Sequence, residues 1–206
     1  MTISTERSEE IKIRDEQRNR GLEATQNAIA ALLTGDFEIV LKRSELFSNR
    51  GNPKWDNIFN PSATTQISTL SKELGKKHVT KCIYVYLARL NNYFNVARPM
   101  TAEQMEELAM EMTVKLWYLK FEEIDVIVEG IKNKVFGNVY ERLDPSIIWE
   151  HINSYELERD RYAESKAQER KTTEIKLETE GDRVGRGIVS TVGGILSSQD
   201  AAKKIR

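Results

Sequence analysis

Cysteine is nearly absent: the chain carries one, Cys82, in 206 residues. One thiol builds no disulfide framework, and a zinc site needs several Cys or His ligands. Histidine is almost as scarce, with His78 and His151 alone. Long apolar runs are missing too. None approaches the roughly 20 residues of a membrane span. The opening "MTISTERSEEIKIRDEQRNR" is polar and charged where a secretory signal needs a basic start and then an apolar run. These absences point to a reducing cytoplasm, that of a bacterial cell or of one infected by a phage.

Catalytic signatures are lacking as well. "GKKH" at residues 75–78 follows no G-x-x-x-x-G pattern, so it is no Walker A loop. No G-x-S-x-G elbow occurs. Glu-x-x-His pairs, which di-iron bundles use, are missing: Ile148 stands three residues before His151. The reading is a non-enzyme with no metal and no cofactor. Nor is there an excess of one charge. The chain has 31 basic and 32 acidic residues, a formal net charge of −1. A protein gripping nucleic acid over its whole surface is basic, so any such contact here is local.

What is present is helix. Apolar residues make 39% of the chain and charged residues 31%, above the usual charged share of about 25%. In "GLEATQNAIAALLTGDF" the residues Leu22, Ala28, Ile29, Leu32 and Leu33 recur at helical spacing, and Gly35 stands where a C-cap belongs. "FEIVLKRSELF" reads as a short helix or a strand. Residues 48–65, "SNRGNPKWDNIFNPSATT", are loop chemistry, pinned to the core by Trp55, Ile58 and Phe59. No β-hairpin signal, no Rossmann-type unit and no internal repeat is read.

From residue 66 the periodicity is plain. Val79, Cys82, Ile83, Tyr86, Leu87, Leu90 and Phe94 make one stripe along a helix of about five turns, which Pro99 breaks. Thr101 and Gln104 form a capping box. Met105, Leu108, Ala109, Met112, Leu116 and Leu119 face inward on the next helix. Ile124, Ile127, Val128 and Ile131 do so on a third, with Gly137 as its stop. Asp144 and Pro145 open a fourth, with Ile148, Ile152, Tyr155 and Tyr162 on one face.

Four groups of residues are candidates for function. The carboxylates Glu103, Glu106, Glu107, Glu111, Glu122, Glu123, Asp125 and Glu129 read as a solvated acidic face. Cys82 lies on the apolar stripe, where a packed thiol is the ordinary case, and His151 sits between apolar positions. Lys72, Lys76, Lys77, Lys81 and Arg89, with Tyr84 off the stripe, are either a wet face or a nucleic-acid contact. Lys42, Arg43, Arg50 and Lys54 would extend that patch. Trp117 and Tyr118 are adjacent and cannot both face the core. With Tyr140 and Trp149 they are the candidate anchors for a protein partner.

Residues 100–155, "MTAEQMEELAMEMTVKLWYLKFEEIDVIVEGIKNKVFGNVYERLDPSIIWEHINSY", resemble the small helical phage proteins that load replicative helicases, the replisome-organiser class. The likeness lies in a helix with a tryptophan near its end, a helix like Phe121 to Lys134, a short turn and a Pro-started helix. The family's turn usually carries adjacent prolines, whereas "FGNVYERLDP" has Pro145 alone. The segment is also similar to uncharacterised helical proteins of phages and mobile elements. The resemblance implies an ATP-free adaptor whose helical domain touches DNA or an initiator and whose C-terminal part grips the helicase.

The expected fold is all-α: an N-terminal arm over residues 1–65, a bundle of about four main helices over 66–162, and a charged, partly disordered helix or tail over 163–206. The expected function is a phage-type adaptor binding a protein partner, such as a replicative helicase, and DNA. The alternatives are a virion or scaffold protein that self-associates into a homo-oligomer, and an inhibitor of a host enzyme or defence system.

Overall fold

A computed structural model describes the backbone of residues 2–139 and 141–202, and the side chains of residues 7–36, 38–139 and 141–173. Among the described residues the chain is mostly helical, with eight helices and one two-stranded sheet. It divides into two units, Met1–Leu157 and Glu158–Arg206. The loop at 48–65, expected to separate an arm from a bundle, lies inside the first of these.

The helices begin and end where local chemistry dictates. α1 (Thr2–Thr34) stops at Gly35, whose φ of 81 suits only glycine at low cost. α2 (Phe37–Phe47) starts on Asp36, whose carboxylate accepts the Ile39 N–H; the ambiguous "FEIVLKRSELF" is therefore helix. Then comes a minimal hairpin that the sequence reading lacks. β1 (Ser48–Asn49) pairs antiparallel with β2 (Asn52–Pro53). Arg50 and Gly51 turn it with φ of 51 and 81. Strands this short carry no alternation to read. α3 (Trp55–Ile58) and α4 (Ile67–Glu73) follow.

The stripe predicted after residue 76 is α5 (Lys76–Tyr93), with Val79, Cys82, Ile83, Leu87 and Leu90 buried. It packs on α1, α4, α6 and α7. α6 (Ala102–Lys115) carries the full capping box: Gln104 N–H donates to Thr101 Oγ1 at 3.2 Å, and Thr101 N–H donates to Gln104 Oε1 at 2.9 Å. Residues 65–68 are strapped to the turn after α6, Ile67 N–H donating to Leu119 O at 2.9 Å and Phe121 N–H to Thr65 O at 2.9 Å.

α7 (Phe121–Lys132) is the central helix, buried on nearly every side. It ends at Lys132, with Asn133 as cap and Lys134 at φ 60, ahead of the expected stop at Gly137. Gly51 and Gly130 let the hairpin tip meet its backbone: a Cβ on Gly51 would stand 2.4 Å from Gly130 Cα. α8 (Pro145–Ala202) opens on Asp144, whose Oδ1 accepts the N–H groups of Ser146 and Ile147 at 3.0 and 3.2 Å. Ile148, Ile152 and Tyr155 seat its first turns in the core. In the second unit Lys166 pairs with Glu169 at 3.2 Å and lies over the Tyr162 ring. Among the described residues no helix is long and apolar enough to cross a membrane.

Candidate functional site

The carboxylates of α7 overturn the expected solvated acidic face on that helix. Glu122 is 4% exposed, Glu123 0% and Asp125 8%. Burying a carboxylate is costly unless hydrogen bonds or a cation compensate it, and each of these has partners. Glu122 Oε1 takes the Arg43 guanidinium and the Thr25 hydroxyl, both at 2.5 Å. Its Oε2 takes the Thr65 N–H at 3.4 Å. Glu123 accepts from the Tyr155 hydroxyl at 2.9 Å and reaches back to the Lys120 N–H at 2.7 Å. Asp125 accepts from the Ser44 hydroxyl, yet desolvation holds its carboxyl up at about 6. Desolvation also pushes the Tyr86 hydroxyl well above its ordinary value.

Arg43 was expected to extend the lysine patch. It is instead turned inward, donating to Ala63 O at 2.8 Å and lying 5.2 Å over the Phe47 ring. Its Nε has no hydrogen-bond partner. The cavity lined by Arg43, Ser44, Tyr86, Glu122 and Asp125 measures about 10 Å³, room for one water. No substrate fits there, so these groups hold α1, α2 and the 63–65 segment on α7.

The other titratable candidates are internal as well. Cys82 is fully buried, and desolvation, outweighing the nearby Lys81, pushes its thiol up to about 11. His151 is 3% exposed, and burial lowers its pKa despite a hydrogen bond to the Phe136 carbonyl.

The lysine cluster comes together only in part. Lys76, Lys77 and Lys81 stand on one wall of a groove of about 970 Å³ between α5 and α6, with Thr80 and Tyr84. The opposite wall is α6: Ala102, Glu103, Glu106, Ala109 and Met110. Lys72 is exposed on the last turn of α4, outside the lining. Arg89 lies eight residues beyond Lys81, outside the lining and near enough to Tyr86 and Asp125 for its charge to favour their ionisation. The glutamate wall was not foreseen, because the pairing of two helices is not written in either alone.

The aromatic candidates separate. Trp117 is 57% exposed and continues an α6 stripe with Met110 at 47% and Val114 at 52%. Tyr118 is half-buried, its hydroxyl donating to Glu156. Trp149 is half-buried and fixed on α6: its Nε1–H donates to Glu111 at 3.3 Å, and Lys115 Nζ lies 5.0 Å over its ring. Tyr140 lies outside the described residues. Among the described residues no group of three or more His, Cys, Asp or Glu is placed to hold a metal ion. No protein-family model, curated protein or solved structure matches the chain.

Proposed function

We propose that the protein is a non-enzymatic adaptor that holds a protein partner in the groove between α5 and α6. The observation that carries this reading is the lining itself. Three lysines, two glutamates and an apolar floor share one groove. A nucleic-acid backbone carries one sign of charge along its whole length, so phosphates lying there would meet Glu103 and Glu106. A protein segment presents both signs and an apolar stripe together. The exposed Met110, Val114 and Trp117 extend the apolar surface beyond the groove. The floor belongs to the core in which α5 packs on α1, α4, α6 and α7.

The narrower reading is a loader of a replicative helicase in phage-type DNA replication. Its support is the resemblance of residues 100–155. In it the helical unit meets an initiator through the groove, and the chain beyond Tyr162 grips the helicase. Self-association into an assembly or virion component is the second reading, favoured by Ile39, Leu41 and Leu46, all about half exposed on α2. Inhibition of a host enzyme drew on the acidic residues of α6 and α7, and three of those on α7 are internal.

Affinity capture from the host cell tests the adaptor reading, with the full chain, Met110→Glu, and a chain ending at Tyr162. The adaptor expectation is a replication protein retained by the full chain and lost with Met110→Glu. In the loader reading a helicase is lost with the truncation. Capture of only further copies of the chain or virion proteins overturns both in favour of assembly.

A further inference from the structure

Two side-chain ties fix how α5 and α6 lie together. The Thr80 and Thr113 hydroxyls are 3.0 Å apart. Asn91 clasps the Met100 backbone, donating to its O at 3.1 Å and accepting its N–H at 2.9 Å. The helices are therefore antiparallel. Counting from these ties, Tyr84 stands level with Leu108, Lys77 level with Lys115, and Glu103 level with Arg89. The lysines thus occupy the end of the groove where α5 begins. The glutamates occupy the far end, where α6 begins.

The groove is bipolar along its length. From Lys76 to the level of Glu103 is thirteen α5 residues, about 20 Å at 1.5 Å per residue. Its middle is lined by Tyr84, Ala109 and Met110, with Thr80 set between Lys77 and Lys81. A helix of three to four turns fits that length, with an apolar stripe for the middle. The charges then set its direction. Acidic residues must meet Lys76, Lys77 and Lys81, and basic residues must meet Glu103 and Glu106. A helix stabilises itself by carrying acids in its first turn and bases in its last. Only a helix running in the same direction as α5 satisfies both demands at once.

We infer that the groove takes a partner's amphipathic helix of about 13 residues, acidic at its start, apolar along one face and basic at its end, lying parallel to α5. This rests on the docking reading above. The lining supplies both walls of charge, and the pairing ties place them at opposite ends.

The test is a displayed library of helical peptides of about 16 residues, with a fixed apolar stripe and randomised charges, selected on the full chain. The expected outcome is enrichment of Asp and Glu in the first turn and of Lys and Arg in the last. The best peptide, measured by fluorescence anisotropy, weakens by about tenfold or more on the triple change Lys76→Glu, Lys77→Glu and Lys81→Glu. A peptide basic at both ends gains on the same variant, whose charged lining is then all glutamate. These lysines are exposed, and circular dichroism verifies that the variant stays folded. Reversed polarity, no charge bias or no enrichment overturns the inference. A full-chain dimer that Met110→Glu dissolves also overturns it, by assigning the groove to a second copy, as does labelled single-stranded DNA bound through the same lysines. If Met110→Glu abolishes capture of the cellular partner while the library shows no bipolar bias, the adaptor reading stands and this inference falls.

Discussion

Replacing Glu122 with alanine removes the acceptor on which the Arg43 guanidinium, the Thr25 hydroxyl and the Thr65 N–H converge. The Arg43 side chain is 16% exposed and that of Glu122 4%, so water replaces little of what is lost. The guanidinium keeps the Ala63 carbonyl and loses its counter-charge. Breaking such a pair from one side costs about 3–5 kcal/mol, a large part of the roughly 5–15 kcal/mol that holds a domain of this kind. The double replacement Arg43→Met and Glu122→Met removes both charges and fills the space. It is expected within about 2 kcal/mol of the parent, since apolar replacement of a whole buried pair is often neutral. Urea unfolding followed by circular dichroism measures each variant, at an unchanged denaturant slope. The reasoning is refuted if Glu122→Ala costs under about 1 kcal/mol, or if the double variant loses the sum of the two singles.

Three further outcomes are expected. Folding raises the Asp125 carboxyl from its ordinary 3.8 to about 6, so the folded state binds that proton more tightly than the unfolded one. Its contribution is whole below about pH 4 and is lost as pH rises through about 6, a change of about 3 kcal/mol. Asp125→Asn removes that slope in unfolding measurements across pH 4–8, and an unchanged slope would disprove the assignment. In Gly130→Ala the new Cβ lands 2.1 Å from the Phe136 ring; a loss of about 1–3 kcal/mol or more in a thermal melt is expected, and an unchanged melt contradicts the packing described. Cys82 should resist iodoacetamide at pH 8 until the chain unfolds, because its thiol is buried and held near 11. Alkylation of the folded protein at the rate of a free thiol would place it elsewhere.

Much of the fold was legible because it is local. The Thr101 box, the Asp144–Pro145 start and the Gly35 stop act within four residues of themselves, so the sequence displays them. The stripe on α5 is equally plain, since one face of that helix is wet. α7 misled because its carboxylates look like a solvated face until the groups that satisfy them are placed. Those groups come from residues 25, 43, 65 and 155, each remote from α7 in sequence. One signal was there to read: Val126 joins Ile124, Ile127, Val128 and Ile131, which together circle the helix rather than line one face. For the groove, the lysines were legible and the opposing glutamates were not. Arg89 stands about 80° round α5 from Lys81 and two turns further along, and it is not among the groove's lining residues.

The Glu122 cluster also sets a clock on synthesis. Thr25 precedes its carboxylate by 97 residues. At about 5–20 residues per second, α1 leaves the ribosome roughly 5–20 s before the helix that completes its buried hydrogen bonds. Through that interval Ile29 and Leu32 on α1 have no α5 to pack against for part of the time, and Phe47 on α2 has no α7, though all three are 2% exposed in the finished fold. The nascent chain is therefore at its most vulnerable to chaperones and proteases before residue 122 emerges, and any programmed slowing of translation would matter most between residues 65 and 122.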